Sequence, residues 1–442
     1  MPQTLTIKPI EGAKPGKVYY SLQLNTLPSP PTPGPGQVQV NIRACALNHR
    51  DLFIRQHLYP GISFTSPLLA DGYGIVTALG PSPSPQAQSL LNKPVLLTPS
   101  RGWESNPAGP ENNGKEFSVV GGAAKYDYGT AQDYVVVPES EVFLAPEHLT
   151  PAEGAALPLT GLTGWRALAT KAEAKKGENV LVTGIGGGVA LQALQFAVAM
   201  GCNVYVTSGT QEKIDKAKQL GAKGGVLYKD ADWEKQLQKQ LPKERGYLDC
   251  VIDGAGGDIL SRAAKLLKTG GKLVVYGMTT GPKMEWNMTA VLKNIELRGT
   301  SMGSRKEYGE MVEFVREHKI RPVVSRVVEG GLANLEGIDG LFEDMKKGMQ
   351  FAWLIGTEHK TSVIEIVAAV REKFPGGYEQ TFKVFQILDN GYPNGAYLAQ
   401  FEAPLPRRIE KHMKIPDAYH PDKVSTVLVT LEAPNNIRTR NV

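Results

Sequence analysis

Apolar and polar residues alternate in "GQVQVNIRACAL" (36–47), the period of a half-buried strand. "YGIVTALG", "KPVLLTP" and "AQDYVVVP" read as further short strands bounded by Gly or Pro. Residues 1 to about 150 are therefore expected to be β-rich, with "PSPSPQAQ" and "RGWESNPAGPENNG" as loops. The period changes near Pro151. "TPAEGAALPLTGLTGWRALA" opens a helix, with Thr150 as N-cap, Pro151 at the first helical position and Glu153 three residues after the cap. Beyond it, "NVLVTG", "NVYVTS", "LDCVIDGAG" and "GKLVVYGM" read as buried strands, and "GGVALQALQFAVAM" and "QEKIDKAKQLGA" as helices between them. That alternation calls for a parallel sheet covered by helices on both faces. After about residue 300, "SRKEYGEMVEFVREHKI" predicts a helix, "PVVSRVV" a strand and "ANLEGIDGLFEDMKKGM" a helix, closing a globule near Ile355. Residues 356–442 add one amphipathic helix candidate, "SVIEIVAAVREKF", and the strand-like runs "FKVFQIL", "AYLAQF" and "VSTVLVTLEA".

Composition narrows the class. A chain of 442 residues has room for two or three domains, and 41% hydrophobic with 21% charged residues is ordinary for a folded soluble protein. A net charge of +5 is too mild to argue for nucleic acid as a partner, and no basic cluster is interleaved with aromatics. Three cysteines, Cys45, Cys202 and Cys250, make no disulfide framework, which points to a reducing compartment. No apolar run reaches the roughly 18 residues of a membrane span, and the N-terminal stretch lacks the apolar core of a signal peptide. A cytoplasmic protein with no membrane partner is expected.

The strongest chemical signal is "VLVTGIGGGVALQALQFA". A strand ends at Thr183; Gly184, Gly186, Gly187 and Gly188 follow, then Val189 and Ala190. Such glycines permit a tight turn and let the backbone approach a pyrophosphate, while the helix N-terminus supplies unpaired N–H groups. Val189 breaks a strict G-x-G-x-x-G, but Gly184-x-x-Gly187-x-x-Ala190 fits when small residues are allowed at the ends. A Gly-rich turn without a ligand is the plain alternative, and the repeated strand–helix units weigh against it. An NAD site usually places an acid about 20 residues on, where it accepts from the ribose 2′-OH. Here "VYVTSGTQEK" offers Ser208, Gly209 and Thr210, no acid before Glu212, and then Lys213. Hydroxyls and a lysine in place of the acid favour the 2′-phosphate of NADPH, with Tyr228 in "VLYKD" as a further pocket residue. Lys213 could equally belong to a solvated helix face.

In order along the chain, "ALNHRDLFIRQHLYPG", "LLADGYGIVTALG", "GTAQDYVVVP", "ALPLTGLTGWRAL", "VTGIGGGVA" and "GLFEDMKKGM" resemble the medium-chain dehydrogenase/reductase superfamily over roughly residues 1–355. The set is most similar to the quinone-oxidoreductase-like branch, which includes members labelled zinc-type alcohol dehydrogenase-like. The resemblance implies a GroES-like β-barrel catalytic domain (1–150 and 301–355), a Rossmann doubly wound domain binding NADPH (151–300), and a cleft between them. Residues 356–442 are an extension without an assigned role. A homodimer is the assembly the resemblance leaves open.

Zinc-dependent relatives carry a Cys, a His and a second Cys at positions that fall here on Asn48, Ala70 and Thr160. That ligand set suits a Lewis acid with one open position, and this chain substitutes all three. "SRGWESNPAGPENNGKEF" also lacks the four cysteines of the relatives' structural zinc loop. No metal site is expected. Cys45 reads as a small buried apolar residue, and His49 as either a polar cleft residue or a proton-relay neighbour.

Zinc-free members of this branch reduce quinones or the C=C bond of α,β-unsaturated carbonyls. "NHRDLFIRQHLYPG" resembles their Asn-x-x-Asp-x-x-x-Arg-x-x-x-Tyr segment. The resemblance implies Asn48, Asp51 and Tyr59 as catalytic candidates: Asn48 bonding substrate or cofactor, Tyr59 donating to the substrate oxygen. Asp51 and Arg55 read better as loop-organising residues, a structural ion pair or cap, and Tyr59 reads equally as an aromatic packed before a turn. Phe53 stands where many relatives carry Tyr, which removes one donor. Cofactor contacts are expected from Thr160, from the glycine loop with Val189, and from Ser208, Thr210, Lys213 and Tyr228. Gly254 in "VIDGAGG", Gly277 and Met278 in "VVYGMTTG", and Arg305 complete the set, although Asp253 also suits a turn and Arg305 an exposed helix start. Two other readings stay open: an alcohol or aldehyde reductase, and a non-catalytic NADPH-binding sensor or structural protein.

Overall fold

The computed structural model describes residues 1–281, 283–347 and 352–356, together with three short strands further on. The chain forms two compact units, Met1–Glu358 and His359–Val442. In the second, Ile387–Leu388, Ala396–Gln400 and Thr426–Thr430 form an antiparallel three-stranded sheet. The helix expected at "SVIEIVAAVREKF" lies outside the described residues.

The parallel sheet of the first unit has six strands: Gly224–Leu227, Asn203–Ser208, Asn179–Val182, Leu248–Asp253, Leu267–Val275 and Glu296–Gly299, in that spatial order. Alternation within each strand divides the core in two. Val180, Val182, Val204 and Val206 face one side with the helices Gly188–Ala199 and Arg305–His318. Leu181, Tyr205, Val251 and Leu273 face the other with the helix Ile259–Leu266. Order reverses at the neighbouring strands 179–182 and 248–253, so a crevice opens beyond their carboxyl ends.

The other sheet runs Val324–Val328, Ala352–Gly356, Gln37–Leu47, Asp71–Leu79, Pro94–Leu97 and Val142–Leu144, with Tyr134–Pro138 also paired to the long strand 37–47. That long strand does more than build a wall. Val38, Val40 and Ile42 point into the barrel core, but a register shift between Ile42 and Ala44 moves the inward positions to Cys45 and Leu47. Ala44 and Ala46 therefore turn toward the core shared with the parallel-sheet helices. A bulge of this kind re-aims the strand end, and Asn48 leaves it directly into the helix His49–Arg55. Cys45, fully buried in the barrel core, is the small apolar filler expected of it.

One helix expected as a single piece is two. Thr150 and Glu153 form a reciprocal capping box over Pro151–Ala155 (Thr150 N to Glu153 Oε2, 2.8 Å), as the sequence indicates. Pro158 then restarts the helix as Pro158–Trp165, because its ring lacks an N–H and clashes with the preceding turn. The loop that lacks cysteines is held by a carboxylate. Glu111 accepts from the backbone N–H groups of Glu104 (2.8 Å), Ser105 (2.9 Å) and Asn106 (3.0 Å). Those N–H groups hold its pKa down at about 2, against what desolvation it has. The loop's Trp103 lies under Arg166, whose guanidinium carbon is 4.4 Å from the ring centroid. Among the described residues no helix is long and apolar enough to cross a membrane.

Candidate active site

The glycine loop folds as its composition suggests. Gly184 (φ 61°) and Gly186 (φ 123°) adopt conformations that other residues avoid, and Gly187 caps the helix that starts at Gly188. A Cβ on Gly188 would stand 2.8 Å from Thr160 Cγ2, so the helix 158–165 lies hard against the loop. Val189 is half-buried and Ala190 fully buried at the helix start.

The residues expected to tell the two cofactors apart gather beside that loop. Thr210 N–H donates to Ser208 Oγ (3.3 Å) and Tyr228 N–H to the Ser208 carbonyl (3.0 Å). The Tyr228 hydroxyl lies over Gly209, 2.8 Å from where its Cβ would be. Lys213 reaches back across Gly186, with Nζ 3.4 Å from the Cβ position there, and makes no ion pair among the described residues. Glu212, the first acid after the strand, is paired instead to Lys216 at 2.8 Å along its own helix. A half-buried, unpaired ammonium over a glycine loop fits a dinucleotide phosphate. Beyond the next strands, Tyr276 packs on Gly254, Gly277 lies against the Gly254 carbonyl, and Met278 against Gly256. Asp253 is fully buried and accepts from Gly256 N–H (2.8 Å), the turn-forming role open to it; desolvation raises its pKa.

Arg305, expected against the cofactor, has protein partners. Its backbone N–H donates to the Trp103 carbonyl (2.9 Å), and its guanidinium pairs with Glu141 (2.8 Å) and Glu104 (3.4 Å). The loop 102–117, which the sequence could not place, takes up the group expected against the cofactor.

On the barrel side, Asn48 is 6% exposed and donates from Nδ2 to Asp71 Oδ2 at 2.8 Å. Asp51 is completely buried; it accepts from Asn48 N–H (2.7 Å) and pairs with Arg50 (3.0 Å). It therefore shapes the helix start, the loop-organising role that the sequence left open to it. Arg50, which sequence reasoning passed over, also donates to the Gly121 carbonyl (2.8 Å) and lies 4.6 Å over the Tyr59 ring. Tyr59 is half-buried under that cation, and its hydroxyl has no protein partner among the described residues. His49 packs edge-on to Phe53 (4.7 Å), and desolvation lowers its pKa.

The zinc-ligand positions hold an unsuitable set. Asn48 gives one amide N–H to Asp71, Ala70 offers a methyl group, and Thr160 donates its hydroxyl to the Ala156 carbonyl (2.8 Å). Among the described residues no three His, Cys, Asp or Glu side chains are placed to hold a metal ion. The residue that the sequence gave no role is Asp71. It is 1% exposed, accepts from Asn48 on one oxygen and from Leu159 N–H on the other (2.8 Å), and burial pushes its pKa up to about 8.

Two family models match the chain: an alcohol dehydrogenase GroES-like domain over residues 34–147 and a zinc-binding dehydrogenase domain over residues 188–317. The zinc-type alcohol dehydrogenase-like protein YogA of Leptosphaeria maculans is 58% identical over 359 residues, covering 80% of this chain and 99% of that relative. An alcohol dehydrogenase of Moraxella sp. is 28% identical over 328 residues, 72% of this chain and 90% of its own. Among solved structures, a putative alcohol dehydrogenase from Sinorhizobium meliloti 1021 superimposes with a TM-score of 0.70 at 27% identity, over 80% of this chain and 98% of that one.

Proposed function

The chain belongs to the medium-chain dehydrogenase/reductase superfamily as an alcohol dehydrogenase-like oxidoreductase, and from that premise we propose that it reduces quinones or α,β-unsaturated carbonyls with NADPH and without zinc. The observation that carries the zinc-free part is the triplet Asn48, Ala70 and Thr160, which offers a metal neither thiolate nor imidazole: an amide that gives one N–H to Asp71, a methyl group, and a hydroxyl donated to the Ala156 carbonyl. NADPH, when bound, supplies the hydride. The glycine loop and the start of the helix 188–199 hold its pyrophosphate, and Ser208, Thr210, Lys213 and Tyr228 take the 2′-phosphate.

What remains for the chain is to orient the acceptor and stabilise the oxyanion that forms on it. Without a Lewis acid, that task falls to hydrogen-bond donors in a site that excludes water. Tyr59 is one such donor, since its hydroxyl is unspent and Arg50 over its ring favours the developing phenolate-like charge. Asn48 is the other. The proton then arrives from Tyr59 or from water.

A second reading, carbonyl-to-alcohol reduction, is favoured by the relatives, which are named alcohol dehydrogenases or alcohol dehydrogenase-like. The purified protein separates the two when dialysed against a chelator and mixed with NADPH and a panel of quinones, enones and aldehydes. Consumption of NADPH with quinones or enones supports the proposal; turnover of aldehydes alone, restored by zinc, contradicts it. The cofactor assignment has its own test. Lys213→Ala is expected to weaken NADPH binding about 10- to 100-fold, the worth of a charge-assisted bond, and to leave NADH binding unchanged. Calorimetric titration reads both, and equal losses for the two cofactors would remove Lys213 from the phosphate pocket.

A further inference from the structure

Asp71 is a buried acid with Arg50 nearby but without an ion pair of its own among the described residues. It lies in the strand 71–79 of the barrel sheet and is 1% exposed. Its own carbonyl is pinned by the Thr130 hydroxyl (2.7 Å), which fixes the backbone that carries it. One carboxylate oxygen accepts from Asn48 Nδ2 and the other from Leu159 N–H, each at 2.8 Å. Leu159 is in the first turn of the helix 158–165, where backbone N–H groups lack helical partners and a negative charge is favoured. The next residue, Thr160, packs against Gly188 at the head of the cofactor helix. A single carboxylate thus joins the Asn48 side chain to the element that abuts the glycine loop.

An uncharged residue could cap the helix at less cost in desolvation. What it could not do is accept on both sides. A carboxylate is acceptor-only on both oxygens, whereas an amide presents one acceptor and one donor. Ionised, as it is above its pKa of about 8, Asp71 makes Asn48 turn its nitrogen inward, while the amide oxygen faces the Asp51 N–H in the capping box and the second amide N–H is left for the cleft. With an amide at 71, the helix N–H keeps the oxygen and Asn48 meets a donor, so its own amide reverses.

We propose that Asp71 is a positioning residue: it sets the amide of Asn48 in one orientation and holds it in register with the helix that backs the cofactor loop. This rests on the proposed reaction only for its kinetic consequence; the orientation of Asn48 stands apart from it.

Asp71→Asn, compared with wild type at about pH 9 where Asp71 is ionised, is the test, because it keeps the shape and one acceptor. The expected result is a folded protein whose NADPH affinity stays within about twofold. Its kcat falls at least tenfold with the KM for NADPH unchanged. In an asparagine-labelled sample, the Asn48 side-chain amide resonances, identified by their loss in Asn48→Ala, shift away from their wild-type positions. Should Asp71→Asn fail to fold, the double variant Asn48→Asp/Asp71→Asn restores both hydrogen bonds with donor and acceptor exchanged. It is expected to fold, bind NADPH and remain slow. Wild-type kcat in either folded variant, or an unmoved Asn48 amide in Asp71→Asn, overturns the proposal while the reductase reading stands. If wild-type protein reduces no quinone or enone, the reductase reading fails, and the amide shift alone decides on Asp71.

Discussion

Tyr59→Phe is expected to lower kcat for enone reduction by about 100- to 1,000-fold, the usual cost of deleting one preorganised donor to an oxyanion. The substitution is clean because the hydroxyl makes no bond to the protein among the described residues, whereas the ring does the packing. Arg50 keeps an aromatic face at the same place, so the helix His49–Arg55 and the NADPH site should be undisturbed. Steady-state kinetics with a cofactor titration reads the two effects separately. A loss of less than about threefold would make Tyr59 a packing residue and leave Asn48 as the donor.

Arg55→Met is expected to cost about 3 kcal/mol of stability, roughly 4 °C in Tm for the unit Met1–Glu358. Arg55 is 2% exposed and lies between the rings of Tyr19 (4.2 Å) and Phe342 (4.5 Å). It donates to the Tyr20 carbonyl (2.9 Å) and pairs with Asp339 (2.6 Å) on the helix 335–346. Methionine keeps the apolar stem but leaves the Tyr20 carbonyl without its donor and removes two desolvated cation–ring contacts. Asp339 is half-exposed, so losing the ion pair itself contributes little. Scanning calorimetry reads the shift. An unchanged Tm would show that the clamp between the two helices is not a source of stability.

How far the sequence carried this far depends on the range of each interaction. Strand and helix periods, the Thr150–Glu153 cap and the glycine turn are local, and they stand in the structure where the sequence put them. Pro158 is local too, but its effect was hidden by the apolar pattern that runs through it; the missing N–H outweighed the pattern. Lys213 was legible because the acid that usually ends the strand is missing, although only the fold shows it lying across Gly186. The ion pair of Arg305 was hidden for the opposite reason. Its partner Glu141 is 164 residues away, and nothing in either stretch announces the contact. Asp71 was visible in "LLADGYGIV" yet carried no role, since its meaning comes from Leu159, 88 residues on. Polar contacts across domains are set by topology, which periodicity does not encode.

The central claim is a zinc-free transfer of hydride from NADPH to an activated carbon. Its most direct measurement is the position of the label after reducing an enone with C4-deuterated NADPH, using protein dialysed against a chelator. The account predicts deuterium on the β-carbon of a saturated ketone, at a rate that added zinc leaves unchanged. Deuterium on the carbonyl carbon of an allylic alcohol, formed only when zinc is returned, would contradict it.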